Sequence, residues 1–163
     1  DISKLKLSGR SAEIQRLIGR ALRAVVDRKK LGPWNVTIDC DVLQGDGGTR
    51  TASITGGYVA MVPAFQKMQK AGQLNDWPVS GMVAAVSAGV VDDVPMLDLC
   101  YEEDSSAMVD LNCVMDDQGR LIEIQGTGEG RPFTLEEQQK LVALCSKGIQ
   151  ELQAIQRRVL EQA

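Results

Sequence analysis

Hydrophobic and polar residues follow two periods along the chain, which divide it into helical and extended segments. Residues 11–31 carry an apolar stripe at helical spacing, formed by Ile14, Leu17, Ile18, Ala21, Leu22 and Val25. Basic residues cover most of the rest of this predicted helix. Ser11 is its expected N-cap, and Gly32-Pro33 ends it. Residues 35–43 alternate with a period of two, which predicts a strand with one buried face.

The remaining pattern predicts a second long helix, several strands and a last helix. Apolar residues recur at helical spacing over residues 49–71, where Pro63 predicts a kink or a new segment and Gly56-Gly57 predict close packing on the sheet. Residues 82–91 are small and apolar, as in a buried strand, and Asp92-Asp93 predict a turn. Further extended segments are expected at 96–101 and 108–115, paired with each other, and at 121–125 after a hairpin turn. A capping box at Thr134 and Glu137 opens a helix reaching about residue 162. Together these elements predict an α+β fold in a single domain, residues 1–163.

The stretch that suggests chemistry is residues 44–53, here called the glycine loop. Its glycines require a positive φ or bring a ligand close to the backbone. Thr49, Thr51 and Ser53 are expected to offer hydroxyls and free N–H groups at a helix N-terminus, where the dipole favours an anion. Arg50 adds a planar cation suited to phosphate. Arg10 begins the first helix and is also placed to hold an anion.

The spacing of the glycine loop limits the ligand. Neither G-x-x-x-x-G-K-[ST] nor G-x-G-x-x-G is present, so the loop predicts a small anion, such as orthophosphate or one phosphodiester, rather than a nucleoside triphosphate. A purely structural turn is the alternative, because tight turns and helix caps also need glycine.

Composition narrows the chemistry further. The 163 residues include no histidine, which excludes His-dependent triads, His-ligated zinc and imidazole acid–base catalysis. The four cysteines form no C-x-x-C pair and are expected to be buried thiols in a reducing cytoplasm. A net charge of −4 gives no general attraction to nucleic acid, so an RNA partner requires a local basic patch. No apolar run approaches a membrane span, and no signal peptide is expected.

Two acidic residues, Asp104 and Asp110, flank a predicted turn. On one straight strand they would lie roughly 20 Å apart at about 3.3 Å per residue, whereas a reversal through residues 105–107 brings both to one end of a hairpin. Near an anion site, two acids require a divalent metal or a shared proton. The simpler explanation is that both residues form turns, where aspartate is common.

Several motifs run in a recognisable order over residues 8–160. They are Ser-Gly-Arg at 8–10, Glu-Ile-Gln-Arg-Leu-Ile at 13–18, Asp-Cys-Asp-Val-Leu-Gln at 39–44, Asp-Gly-Gly-Thr-Arg-Thr-Ala-Ser-Ile-Thr-Gly at 46–56, Gly-Met-Val-Ala-Ala-Val-Ser at 81–87, Glu-Asp-Ser at 103–105 and Gln-Gly-Thr at 125–127. With these motifs the chain resembles the bacterial ribonuclease PH family, phosphate-dependent exoribonucleases that trim tRNA 3′ ends. Exosome and polynucleotide phosphorylase domains carry looser versions of the glycine loop.

The resemblance implies a fold, an activity and a set of site residues. The fold is the ribosomal protein S5 domain 2-like one, with a mixed sheet and packed helices. The activity is phosphate-dependent 3′→5′ removal of nucleotides from tRNA precursors as nucleoside diphosphates, by a cytoplasmic hexameric ring of dimers. Phosphate is expected at Arg10, Gly48, Thr49 and Arg50. Asp104 and Asp110 are expected to hold Mg²⁺ and deliver a proton, with Asp110 as the acid.

The first part of the family sequence has no match in this chain. The chain begins about a third of the way along the family sequence, so the first strands and an arginine-rich tRNA-contacting loop have no match here. The resemblance therefore implies that another chain supplies this part or that something else covers the exposed edge, and that this chain alone binds RNA poorly or does not stay monomeric.

The alternative functions are a non-catalytic exosome-like ring subunit or RNA-binding scaffold, and a small-molecule phosphotransferase. The latter is disfavoured because no triphosphate loop exists.

Overall fold

The structure is a computed structural model that describes residues 8–162. Within them the elements follow in the order α1 (Gly9–Arg23), α2 (Arg28–Leu31), α3 (Thr49–Lys70), β1 (Val83–Val91), β2 (Val94–Leu97), α4 (Tyr101–Ser106), β3 (Val109–Asp116), β4 (Leu121–Gly128) and α5 (Leu135–Glu161). The predicted α+β composition is confirmed. In this part of the chain, no helix is both long enough and apolar enough to span a membrane.

The strands form one sheet in the order β2-β1-β3-β4. Every pairing among the described strands is antiparallel, so the sheet is not the mixed one expected. Alternate residues of β1 face two separate cores, since Val83 and Ala85 pack with α1 and α3 whereas Ala84 and Val86 pack with α5. The sheet therefore lies between α5 on one face and α3, backed by α1, on the other.

The first predicted helix is shorter and begins earlier than its pattern suggested. Ser8, not Ser11, is the N-cap, and its Oγ accepts a hydrogen bond from the Ser11 N–H at 3.1 Å. The helix ends at Arg23 because the next residues pair with a distant segment: Val26 bridges Val79, and the Asp27 N–H donates to Pro78 O at 2.7 Å. Tertiary pairing overrides helical periodicity here. The predicted end at Gly32 is confirmed, with φ 70° at the C-cap of α2.

The predicted strand at residues 35–43 is wrong. These residues form no strand, and Val36, Cys40 and Val42 are exposed rather than buried. Their alternation has the correct period, but a strand is stable only when a neighbour accepts its backbone hydrogen bonds. No strand pairs with this segment in the part of the chain that the structure describes. Of the four thiols, only Cys113 and Cys145 are buried as expected.

The predicted pairing of residues 96–101 with 108–115 is also wrong. β2 pairs with β1 through a tight turn, in which Asp92 and Asp93 adopt φ values of 48° and 61°. A local hairpin of this kind costs less loop-closure entropy than a pairing across residues 102–107. Those intervening residues instead form α4. The predicted turn at 116–119 and the β4 strand are confirmed.

Helix α3 is confirmed almost at its predicted bounds. Pro63 lies inside it and starts no second segment. Gly57 is buried, but a Cβ there would lie 3.4 Å from Leu22 and Ile38, so its close packing is with α1 and the preceding loop rather than with the sheet. Gly56 is exposed, with nothing within 4 Å of a Cβ position.

Candidate active site

The glycine loop is held against the segment that leads into α4. Asp46 Oδ1 accepts hydrogen bonds from the Gly47 N–H at 2.8 Å and from the Tyr101 N–H at 2.6 Å. A Cβ on Gly47 would overlap the backbone carbonyl of Leu99, so only glycine allows this approach. The loop is therefore fixed to the start of the helix that carries Asp104.

Gly48 ends the loop and begins α3. It has a left-handed conformation, with φ 71°, and as the N-cap it provides no side-chain hydrogen bond to the helix. The first N–H groups of α3, including those of Thr49 and Arg50, therefore point out of the helix end without a side-chain cap. Such a helix end suits an anion.

The hydroxyl groups next to this helix end differ from the expectation. Thr51 Oγ1 donates to Gly48 O at 2.8 Å, and Ser53 Oγ donates to Thr49 O at 2.8 Å. Both hydroxyls thus bond within the helix, and Thr51 is buried. The backbone N–H groups, not these two hydroxyls, are the donors that the helix end offers.

The first turn of α1 lies beside the start of α3. Arg50 forms an ion pair with Glu13, whose Oε1 is 3.6 Å from Arg50 Nη1. The same oxygen of Glu13 accepts a hydrogen bond from Gln125 Nε2 at 2.9 Å, which connects α1 to β4. Arg10 is exposed and lies three residues before Glu13, on the same side of the helix. The two arginines predicted to hold phosphate therefore lie on neighbouring helix N-termini.

Asp104 and Asp110 come from a helix and a strand, not from the two sides of a turn. Asp104 lies in α4, and Asp110 lies in β3 opposite Gly89 of β1. Both are half-buried. Burial raises the pKa of Asp110, the Asp104 carboxylate raises it further, and the Arg50 guanidinium opposes both effects. Asp110 thus interacts electrostatically with both Asp104 and Arg50, which unites the predicted acids with the predicted phosphate site.

The carboxylates of Asp104 and Asp110 were predicted, from the family resemblance, to hold Mg²⁺. Within residues 8–162, no group of three or more histidine, cysteine, aspartate or glutamate side chains could hold a metal. Mg²⁺, however, commonly binds one or two carboxylates together with phosphate oxygens of a substrate. Two half-buried carboxylates that interact electrostatically, near a helix end suited to an anion, fit that kind of shared site.

Five residues around the site were not assigned a role from the sequence. Asp46 ties the glycine loop to α4, Glu13 and Gln125 position Arg50, and Asn112 Nδ2 donates to Asp110 Oδ2 at 3.3 Å. Ser87 is buried next to Gly48. Asp46 precedes two glycines, a common turn signal. Ser87 is a polar residue in the otherwise apolar β1, and Asn112 lies between apolar residues of β3, which is the signal that could have found them.

Comparisons with known proteins show the family of the chain. Residues 3–65 match the model of domain 1 of the 3′ exoribonuclease family, and residues 81–148 match domain 2. The chain belongs to the ribonuclease PH family. It is 59% identical over 158 residues to ribonuclease PH from Neisseria gonorrhoeae (strain NCCP11945), covering 97% of this chain and 65% of that protein. It is 55% identical over 160 residues to ribonuclease PH from Syntrophomonas wolfei, covering 98% and 67%. The chain thus spans about 65% of the length of the first of these relatives.

Solved structures of the ribonuclease PH fold superpose on the chain. Rrp46 from rice (Oryza sativa) has a TM-score of 0.71 at 16% identity, over 96% of this chain and 68% of the rice chain. A chain of the Archaeoglobus fulgidus exosome with RNA bound to the active site has a TM-score of 0.66 at 18% identity, over 93% and 63%. The fold expected from the resemblance is confirmed, except that the described strands pair only antiparallel rather than in a mixed sheet.

Proposed function

We propose that this chain carries the phosphate-binding and catalytic part of a phosphate-dependent 3′→5′ exoribonuclease that shortens tRNA precursors. One observation supports this most strongly: the Asp104 carboxylate raises the pKa of Asp110 and the Arg50 guanidinium lowers it, so a cation suited to phosphate and a pair of acids act on the same region. The identity to ribonuclease PH over nearly the whole chain supports the same activity.

In this proposal, orthophosphate binds at the N-terminus of α3. The backbone N–H groups that follow Gly48, including those of Thr49 and Arg50, donate to its oxygens, and the helix dipole favours its charge. The guanidinium groups of Arg50 and Arg10 bind further oxygens. Glu13 holds Arg50 in this orientation through their ion pair.

The reaction is an in-line displacement at the last phosphodiester of the RNA. An oxygen of orthophosphate attacks the phosphorus, a new P–O–P bond forms, and the bond from phosphorus to the 3′ oxygen of the preceding nucleotide breaks. Asp110 gives its proton to that departing oxygen, for which its raised pKa is suited. The products are a nucleoside diphosphate and an RNA shorter by one nucleotide.

Asp104 and Asp110 are the proposed ligands of Mg²⁺, together with phosphate oxygens of the substrate. The ion would neutralise charge that develops on the reacting phosphoryl oxygens. The protein's part is to bring the two carboxylates to the same place from α4 and β3. Asn112 fixes Asp110 by donating to its Oδ2 atom.

We propose single-stranded RNA at a tRNA 3′ end and a homo-oligomeric ring of dimers, a hexamer, as partners. A fold neighbour from Archaeoglobus fulgidus has RNA bound to its active site, which supports the RNA partner. Exposed apolar side chains at Val42 and Leu43 provide a surface for a neighbouring chain. The four free thiols fit a reducing compartment, the cytoplasm.

The test is an RNA-trimming assay on the full chain. A tRNA with a 3′ extension is incubated with and without inorganic phosphate, and the released nucleotides are separated by chromatography. We expect nucleoside diphosphates only when phosphate is present. Arg50→Ala should lower the rate at limiting phosphate by about 100-fold or more, because it removes a donor to the reacting anion.

The matched control is Arg158→Ala, which removes an exposed arginine near the C-terminal end of α5 and should leave the rate unchanged. Nucleoside monophosphates released without phosphate would instead indicate hydrolysis. RNA binding without any nucleotide release would favour the ring-subunit or scaffold function.

A further inference from the structure

The face of the sheet that α3 covers changes from apolar to polar toward the active site. Across the β1–β3 pair the facing residues are Ala85 with Val114, then Ser87 with Asn112, then Gly89 with Asp110. Ala85 and Val114 belong to the core beneath α3, and Asp110 belongs to the site. Ser87 and Asn112 therefore form a polar layer between the core and the catalytic carboxyl.

Ser87 is the unexplained member of this layer. It is 2% exposed, and among the residues that the structure describes its Oγ atom has no hydrogen-bond partner. A buried hydroxyl without a partner lowers stability, and native proteins rarely retain one without a reason.

The Ser87 hydroxyl lies at the N-cap of α3. A Cβ built on Gly48 would be 3.1 Å from Ser87 Oγ and 3.3 Å from Thr51 Oγ1, so this hydroxyl lies against the residue that begins the helix. The neighbouring donors are engaged elsewhere: Thr51 Oγ1 donates to Gly48 O, and Asn112 Nδ2 donates to Asp110. An acceptor bound at the helix end would give the Ser87 hydrogen a partner.

We propose that Ser87 is a further phosphate-binding residue, whose Oγ–H donates to an oxygen of the phosphate bound at the start of α3. This inference rests on the proposed function, since it adds a side-chain donor from β1 to the same site. It also accounts for glycine at position 48, because a Cβ there would crowd this hydroxyl.

Two measurements on Ser87→Ala test the proposal: thermal unfolding without phosphate, and calorimetric titration with inorganic phosphate. We expect the variant to be as stable as the wild type or more stable, because it removes an unpartnered buried hydroxyl. We also expect its Kd for phosphate to rise about 10-fold or more, as for loss of a hydrogen bond to a charged group. Ser87→Cys, which has nearly the same size and is a weaker donor, should give a smaller rise.

Thr55→Val is the matched control. Thr55 Oγ1 lies on the same face of the sheet, but it is satisfied by the backbone of Ala85, with contacts of 3.0 and 3.2 Å. Loss of the Thr55 hydroxyl should lower stability and leave the Kd for phosphate unchanged. Ser87→Ala is expected to do the reverse, with stability kept and the Kd raised.

Three results would overturn the inference. If the wild type binds phosphate and Ser87→Ala binds it with the same Kd, Ser87 is not a phosphate ligand, although the proposed site stands. If Ser87→Ala unfolds at a clearly lower temperature, the hydroxyl has a structural partner instead. If the wild type does not bind phosphate at all, the proposed function fails, and the inference fails with it.

Discussion

At the scale of single residues, the central feature is the environment of Asp110. Burial and the nearby Asp104 carboxylate raise its pKa, whereas Arg50 lowers it and Asn112 donates to its ionised form. A carboxyl that keeps its proton to higher pH than an exposed aspartate is better suited to protonate a leaving group. Phosphate bound at Arg50 would offset the one positive charge that opposes this shift.

The raised pKa predicts how stability depends on pH. Between the ordinary value of 3.8 and the raised folded value, the native state binds more protons than the unfolded state, so the free energy of unfolding falls as pH rises through this window. Asp110→Asn cannot ionise at this position and therefore removes this fall in the free energy of unfolding. We expect the variant to be more stable than the wild type at pH 7 and to lose this advantage below pH 3.8, measured by urea unfolding at several pH values.

The control is Asp76→Asn, which removes one exposed carboxylate and measures the effect of losing a surface charge alone. Asp110→Asn should also lower the rate of nucleotide release by about 100-fold or more, as for loss of a general acid. A wild type and Asp110→Asn with parallel stability curves across pH would contradict a raised pKa at this residue.

Sequence reasoning was more effective for residues on loops and helix ends than for residues in strands. The motif around Gly48 and Arg50 could be interpreted because glycine and arginine have narrow physical uses. Ser87 and Asn112 were not identified, because a polar residue in a strand becomes informative only when its facing elements are known. The roles of Arg10, Gly48, Thr49, Arg50, Asp104 and Asp110 remain predictions.

At the scale of elements, α3 and its N-cap have glycines that are present for different reasons. Gly48 has φ 71° and lies against two hydroxyls, so it is required by conformation and by space. Gly56 lies inside the helix with nothing within 4 Å of a Cβ position. The two positions therefore provide a matched pair of glycine-to-alanine substitutions in one element.

We expect Gly48→Ala to lower stability by about 1–3 kcal/mol, because alanine is strained at this φ, and to weaken phosphate binding. Gly56→Ala should raise stability by about 0.5–1 kcal/mol, because alanine favours the helix, and leave phosphate binding unchanged. Chemical unfolding and phosphate titration measure both effects. A Gly48→Ala variant with unchanged stability and affinity would show that the glycine loop is not the constrained site described above.

Strand prediction failed where the pattern was right but the partner was absent or different. The alternation of residues 35–43 is as regular as that of a true strand, yet backbone pairing is not encoded in the segment itself. The partner of β2 was misassigned because the tight turn at Asp92 and Asp93 favours β1, its neighbour in sequence. The long helices α3 and α5 were predicted well because their hydrogen bonds are internal.

At the scale of the whole molecule, the site is assembled from segments that are distant in sequence. Arg20 forms a bidentate pair with Glu123, with Nε to Oε2 at 2.9 Å, and Glu13 accepts from Gln125, so two contacts attach α1 to β4. Asp46 attaches the glycine loop to α4. No local pattern predicts such contacts, and for this reason the proximity of Arg50 to Asp110 could only be expected from the family resemblance.

Phosphate binding at the start of α3 is tested most directly by titrating the ¹⁵N-labelled chain with inorganic phosphate and following its backbone amide resonances. We expect saturable shifts at Gly48, Thr49 and Arg50 with one shared Kd, which rises in Arg10→Ala and in Arg50→Ala. This phosphate site would be contradicted if these three amides stayed unchanged at saturating phosphate, or if neither arginine substitution altered the Kd.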